Sequence, residues 1–231
     1  MATTTRYQDM TREELYELAQ ERDIDGRSDM TKDELVAALR RTDLGPDALE
    51  LLASQHREIE ELFSQFEGLS SRASQKKTDL VREIITNLVR HAEIEEQIFY
   101  PAVAENVPDA EDEVHEDLEE HHVVEVLLWE LDHASAEDER YDAKVKVLIE
   151  NVRHHVEEEE EELFPKVREA MDEETRHRLG GAMQDAWKVA AERPHPLSPD
   201  TPPGNVLMGI PAAIFDRVIN LLRTGVKLVR R

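Results

Sequence analysis

Four histidines and two glutamates recur in this chain at spacings that let them share one centre. His56 opens the segment HREIEELFSQF, and His121 opens HHVVEVLLWEL. Aligning the two histidines superimposes Ile59 on Val124, Leu62 on Leu127, Phe63 on Leu128 and Phe66 on Leu131. A second pair of segments opens at His91 and His155, where Glu95 falls on Glu159, Glu96 on Glu160 and Pro101 on Pro165. A His and a Glu four residues apart lie about 40° apart around a helix and one turn along it, so both reach one point on a bundle axis. Two helices with His-x-x-x-Glu, and one histidine from each of two others, offer four imidazoles and two carboxylates. Each glutamate is then placed to bridge two ions, with the histidines as terminal ligands. Mixed nitrogen and oxygen donors suit iron or manganese better than calcium.

Neighbouring residues leave alternatives open. His122 and His154 adjoin the preferred His121 and His155, and rotating either helix by one residue exchanges them. Glu157 to Glu162 are all glutamate, and most of that run must face water because buried unpaired carboxylates are costly. Glu125 stands one turn after His121 and is a further donor. Tyr100, beside Pro101, is either a hydrogen-bond donor to the site or a packing residue. His115, His133, His177 and His195 lie outside the pattern.

Helices must position these residues, and the composition favours helix throughout: 8 Gly, 5% aromatic residues and 35% charged residues in 231. Amphipathic spacing predicts an all-α, up-down antiparallel four-helix bundle within residues 46–192. Its first helix carries Leu49, Leu52, His56, Ile59, Leu62, Phe63 and Phe66. The others run from about Thr78 to Glu105, Ala110 to Ala134 and Asp138 to Ala170, with a further helix from about Asp172 to Glu192 packing outside. Residues 1–45 read as a small two-helix module opened by the capping boxes Thr11–Glu14 and Thr31–Glu34. Residues 193–205 are a proline-rich linker. Residues 206–231 form an amphipathic tail, with Leu207, Ile210, Ile214, Val218, Leu221 and Leu222 on one stripe and Arg217, Arg223, Lys227, Arg230 and Arg231 making it basic. That tail suits docking on the acidic bundle, or contact with an anionic membrane surface.

The formal charge is -25, and Lys plus Arg against Asp plus Glu number 7 and 11 in residues 1–45, 6 and 2 in 193–231, and 15 and 40 between. The bundle therefore repels a phosphate backbone and attracts cations. With no cysteine, disulfides, iron–sulfur clusters, thiolate zinc sites and cysteine nucleophiles are excluded. No apolar leader opens the chain and no apolar run is of spanning length, so the expected location is cytoplasmic.

Residues 47–175 resemble the hemerythrin-like, or HHE cation-binding, family, whose pattern H…HxxxE…H…HxxxE is carried here by His56, His91, Glu95, His121, His155 and Glu159. The resemblance implies a non-haem di-iron centre bridged by oxygen and the two glutamates, with manganese and zinc as competing metals. Oxygen carriers of the family have a second histidine where this chain has Glu125, and a His-x-x-x-x-Asp step where it has His155 and Glu159. The departure implies sensing or redox handling of oxygen, nitric oxide or peroxide, as in oxidative stress, rather than oxygen transport. A regulatory or nucleic-acid-associated adaptor acting through the N-terminal module, with the bundle as scaffold or metal-dependent sensor, is the alternative.

Residues 7–42 resemble the N-terminal domain of the Rho termination factor, through Met10-Thr11-Arg12-Glu13-Glu14-Leu15, Ala19, Ile24, Gly26-Arg27-Ser28 and Met30-Thr31-Lys32-Asp33-Glu34-Leu35. Related modules contact nucleic acid, for which Arg27, Lys32, Arg40 and Arg41 would serve. The net negative charge of this segment opposes that, and a protein partner is favoured.

Overall fold

The computed structural model describes residues 7–70 and 73–196, and all the regular structure among them is helical. The first two helices, α1 (Arg12–Glu21) and α2 (Lys32–Leu44), begin at Thr11 and Thr31, each in a complete capping box with the glutamate three residues on. Their shared faces bury Tyr7, Leu15, Ala19, Leu35, Val36 and Leu39 as a core of their own. Tyr7 closes it by donating its hydroxyl to Asp43 at 2.7 Å.

The bundle follows as α3 (Ala48–Glu67), α4 (Ser74–Ile94) with α5 (Tyr100–Asn106), α6 (Glu111–Asp132), and α7 (Tyr141–Glu158) with α8 (Phe164–Ala170). α4 packs on α3 and α6, and α7 packs on α6. Short connections leave consecutive helices antiparallel. The second and fourth bundle helices are not uniform. One turn of π-helix, Glu95–Phe99, joins α4 to α5, and another, Glu159–Leu163, joins α7 to α8. Each wide turn ends just before a Tyr/Phe-Pro step, at Pro101 and Pro165. A proline ring collides with the carbonyl four residues back in an α-helix, and widening the turn relieves that collision.

The apolar interior is split. One cluster contains Leu49, Leu52, Ile94, Ile98, Phe99, Val103, Leu163, Phe164 and Val167. The other contains Ile59, Phe63, Ile84, Leu88, Val124, Leu128, Leu148, Ile149 and Val152. His56, His91, His121 and His155 fall in sequence between members of the two clusters, so the polar residues form a layer with an apolar core on either side.

The last helix, α9 (Glu173–Trp187), does more than cover the outside of the bundle. It packs on α3, on α2 and on the first π turn. Gly180 and Gly181 bring its backbone against Leu44, Gly45, Pro46 and Ala48, where Gly45 has φ 113°. Arg176 pairs with Asp47 at 2.7 Å, and His177 Nδ1 lies 2.8 Å from the Gly45 carbonyl. Helix α9 ends earlier than the spacing to Glu192 predicts: the Lys188 and Val189 amides turn back to the Ala186 carbonyl, and further on the chain is held by side-chain acceptors. Ala191 N–H donates to Glu93 at 2.5 Å and His195 N–H to Glu125 at 2.7 Å, strapping residues 190–195 across α4 and α6. Of the expected linker, residues 193–195 belong to this strap. The amphipathic tail of residues 206–231 lies outside the described residues, none of whose helices is long and apolar enough to cross a membrane.

Candidate metal centre

All six residues singled out by the repeat meet in the layer between the two apolar clusters. His56, His91, Glu95, His121, His155 and Glu159 are buried, whereas His122 and His154 are exposed on the outer sides of α6 and α7. The phase of each helix thus decides both histidine doublets. Glu125 is not in the cluster; it is only partly buried and accepts the amide of His195.

The imidazoles form two pairs. Nε2 of His56 and of His91 are 3.0 Å apart, and Nε2 of His121 and of His155 are 3.1 Å apart. Between the pairs lies Glu95, with one oxygen 3.2 Å from His91 Nε2 and the other 3.5 Å from His121 Nε2. Glu159 approaches His56 Nε2 at 3.3 Å. Both oxygens of both glutamates are buried without a hydrogen-bond partner. Orphaned carboxylates facing converging imidazole nitrogens are costly in a protein interior unless a cation joins them. Two nitrogens each about 2.1 Å from one ion, at right angles to one another, stand about 3 Å apart, which is the spacing within both pairs. The donor set therefore fits two adjacent metal ions, one on His56, His91 and Glu95, the other on Glu95, His121 and His155.

Each imidazole is also held from behind. Nδ1 of His56 is 2.7 Å from Glu160 and Nδ1 of His121 is 3.1 Å from Glu96. Nδ1 of His91 is 2.9 Å from the Gln55 side-chain oxygen, and Nδ1 of His155 is 2.8 Å from Glu120. With a proton on Nδ1 donated outward, each Nε2 turns its lone pair to the centre. Gln55, Glu120 and Asp117 were not singled out by sequence. The signal for the first two is position: each immediately precedes the first histidine of its repeat. The aromatic residues that follow the π turns differ. Phe164 stacks on His56 at 6.1 Å, whereas the Tyr100 hydroxyl lies 3.3 Å from His121 Nε2 and 3.4 Å from His155 Nε2.

Burial and crowding set the protonation of this layer. Burial raises the Glu95 carboxyl well above the usual carboxylate range, and the charge of Glu159 adds to it. His91 is driven well below its ordinary value by burial and then by the other three imidazoles. Burial likewise lowers His121, to about 4. His56 goes the other way: burial opposes its charge, but the carboxylates of Glu159 and Glu160 beside it together prevail and raise it. In the metal-free protein His91 and His121 are accordingly neutral near pH 7, the form a metal requires.

Residues 47–167 match the hemerythrin HHE cation binding domain.

The chain belongs to the hemerythrin HHE cation-binding family.

Residues 6–43 match the N-terminal domain of the Rho termination factor. A hemerythrin-like protein of Schizosaccharomyces pombe is 24% identical over 141 residues, which span 61% of this chain and 70% of that relative. A hemerythrin HHE cation binding domain-containing protein from Mycobacterium kansasii shares the fold, with a TM-score of 0.55 at 22% identity, over 62% of this chain and 86% of that one. In this hemerythrin-like domain the His/Glu layer is thus the part of the molecule suited to bind a cation.

Proposed function

We propose that this hemerythrin-like domain holds a non-haem di-iron centre, with His56, His91, His121 and His155 as terminal ligands and Glu95 and Glu159 as bridges. The observation that carries this reading is Glu95. It is wholly buried and its two oxygens face Nε2 atoms of different histidine pairs, yet neither has a hydrogen-bond partner. Iron is the metal whose preferences this mixed set suits best, ahead of manganese and zinc. When bound, the metal supplies one-electron chemistry and an open position for a small molecule.

The rest of the chemistry belongs to the chain. Glu160, Gln55, Glu96 and Glu120 fix the four rings in one tautomer. The two apolar clusters flank the layer on either side. Tyr100 presents a hydroxyl proton at the His121–His155 pair, with no counterpart at the other pair, where Phe164 stands. Carboxylate-rich ligation and the absence of an imidazole at Glu125 support a role in responding to oxygen, nitric oxide or peroxide rather than in carrying oxygen. Rapid mixing of reduced, iron-loaded protein with each of these molecules tests the role. An irreversible spectral change with one of them supports it, and reversible oxygen binding with no oxidation contradicts it.

One observation favours a second reading, that of a metal-dependent adaptor. The Rho-like module is clamped to the bundle through α9, by Arg41–Glu173 and by His177 against the Gly45 carbonyl. Under that reading the module's protein partner binds differently to wild type and to a His91→Ala/His155→Ala variant. Equal binding by both leaves the bundle as a scaffold.

A further inference from the structure

Three groups of metal-ligating side chains overlap end to end between the surface and the buried layer. The outermost is Glu120, His154 and Glu158, with side chains 28%, 63% and 44% exposed. The next is Asp117, Glu120 and His155, and the innermost is Glu95, His121 and His155. Within each group the donor atoms lie within 4.8 Å of one another, and successive groups share first Glu120 and then His155, which turns Nδ1 to the middle group and Nε2 to the layer, so an ion in the middle group displaces the Nδ1 proton held by Glu120. Helical spacing creates the series: Asp117, Glu120 and His121 share one side of α6, while on α7 His154 and Glu158 lie one turn apart, each beside a residue of the layer.

A second, independent observation marks the middle of the series. Asp117 is only 8% exposed, and its Oδ2 is buried with no hydrogen-bond partner. Its other oxygen is 3.7 Å from His155 Nδ1, too far for a good hydrogen bond. A carboxylate left this incomplete among other metal-ligating groups is suited to receive a cation.

The internal repeat supplies a control. Aligned with the first repeat, Asp117 falls on Leu52, Glu120 on Gln55, His154 on Arg90 and Glu158 on Ile94. All four lose the ability to bind a cation as an anion or imidazole would, and Arg90 places a positive charge there. The layer itself is preserved in both repeats while this approach exists in only one. A purely structural acidic surface has no reason to follow that division.

We propose that Glu120, His154 and Glu158 form a capture site for a divalent cation, and that Asp117 passes the ion on to the His121–His155 pair, so that the centre is loaded from the second repeat. The proposal rests on the buried layer being a metal site. Its charge makes loading dependent on ionic strength, as for any cation drawn to clustered carboxylates.

The test mixes metal-free protein with cobalt(II), whose visible bands report arrival in the layer, in a stopped-flow instrument. Wild type is compared with His154→Ala/Glu158→Gln, which touches only exposed residues, and with Asp117→Asn. The expected result is loading slowed roughly tenfold or more in both variants, with wild-type final occupancy in the exposed pair. Loading at wild-type speed in both variants overturns the route while leaving the buried centre intact. Failure of wild type itself to take up any ion overturns the centre and the route together.

Discussion

Glu160, from the second repeat, stands 2.7 Å from Nδ1 of His56 in the first, and Glu96, from the first, stands 3.1 Å from Nδ1 of His121 in the second. Each repeat thus orients a histidine of the other. Each repeat sets its other imidazole itself, His91 through Gln55 and His155 through Glu120, so all four rings are oriented only when both repeats are folded together.

This exchange predicts that Glu96→Ala and Glu160→Ala keep the fold but weaken metal binding, by roughly tenfold to a hundredfold each, since the carboxylate behind a ligating histidine fixes its ring and raises its basicity. Competition against a chelator of known affinity measures the effect. Wild-type affinity in both variants would remove these carboxylates from the account.

The seating of the N-terminal module on α9 depends on residues without side chains. A Cβ on Gly181 would collide with the Leu44 carbonyl, and one on Gly180 with that of Pro46, both of them backbone atoms. Gly181→Ala is expected to cost ~1–3 kcal/mol, a fall in melting temperature of about 3–10 °C for a chain of this size. Calorimetry decides it. An unchanged melting temperature would mean that this contact is not formed in solution.

The capping boxes give a pH dependence of known sign. The backbone N–H of Thr31, then its hydroxyl, holds the Glu34 carboxyl below its ordinary value of 4.5. A carboxyl depressed in the folded state contributes stability above its unfolded pKa and loses that contribution as pH falls through the folded value. Thr31→Ala should therefore destabilise the module at neutral pH, and by progressively less as the pH falls below the ordinary glutamate range. An NMR titration of Glu34 should show its pKa rising in the variant. A pKa the same in both proteins would remove the Thr31 hydroxyl from the contact with Glu34.

Much of the bundle and its layer was legible because the repeat preserves two things at once, apolar phase and donor position. That is why His56, Glu95 and their counterparts meet, and why an exposed His122 or His154 could be separated from its neighbour only when the helix phase was seen. Glu160 was hidden within six consecutive glutamates, since composition does not distinguish the one that turns toward His56 from those facing water. The π turns left only a proline as their trace. Helix α9 was expected only to pack outside the bundle, because the part played by Gly180 and Gly181, close approach to Leu44 and Pro46, lies in tertiary contact that local sequence does not reveal. Its early end at Trp187 depends on Glu93 and Glu125, which are distant in sequence.

The most direct test of the central claim is the metal content and optical spectrum of protein purified without a histidine tag, beside its His91→Ala variant. About two irons per chain, with near-ultraviolet ligand-to-iron charge-transfer bands that are lost in His91→Ala, is the predicted result, since Glu95 faces both histidine pairs. A folded protein that holds no metal and resists reconstitution with ferrous iron would contradict the di-iron centre.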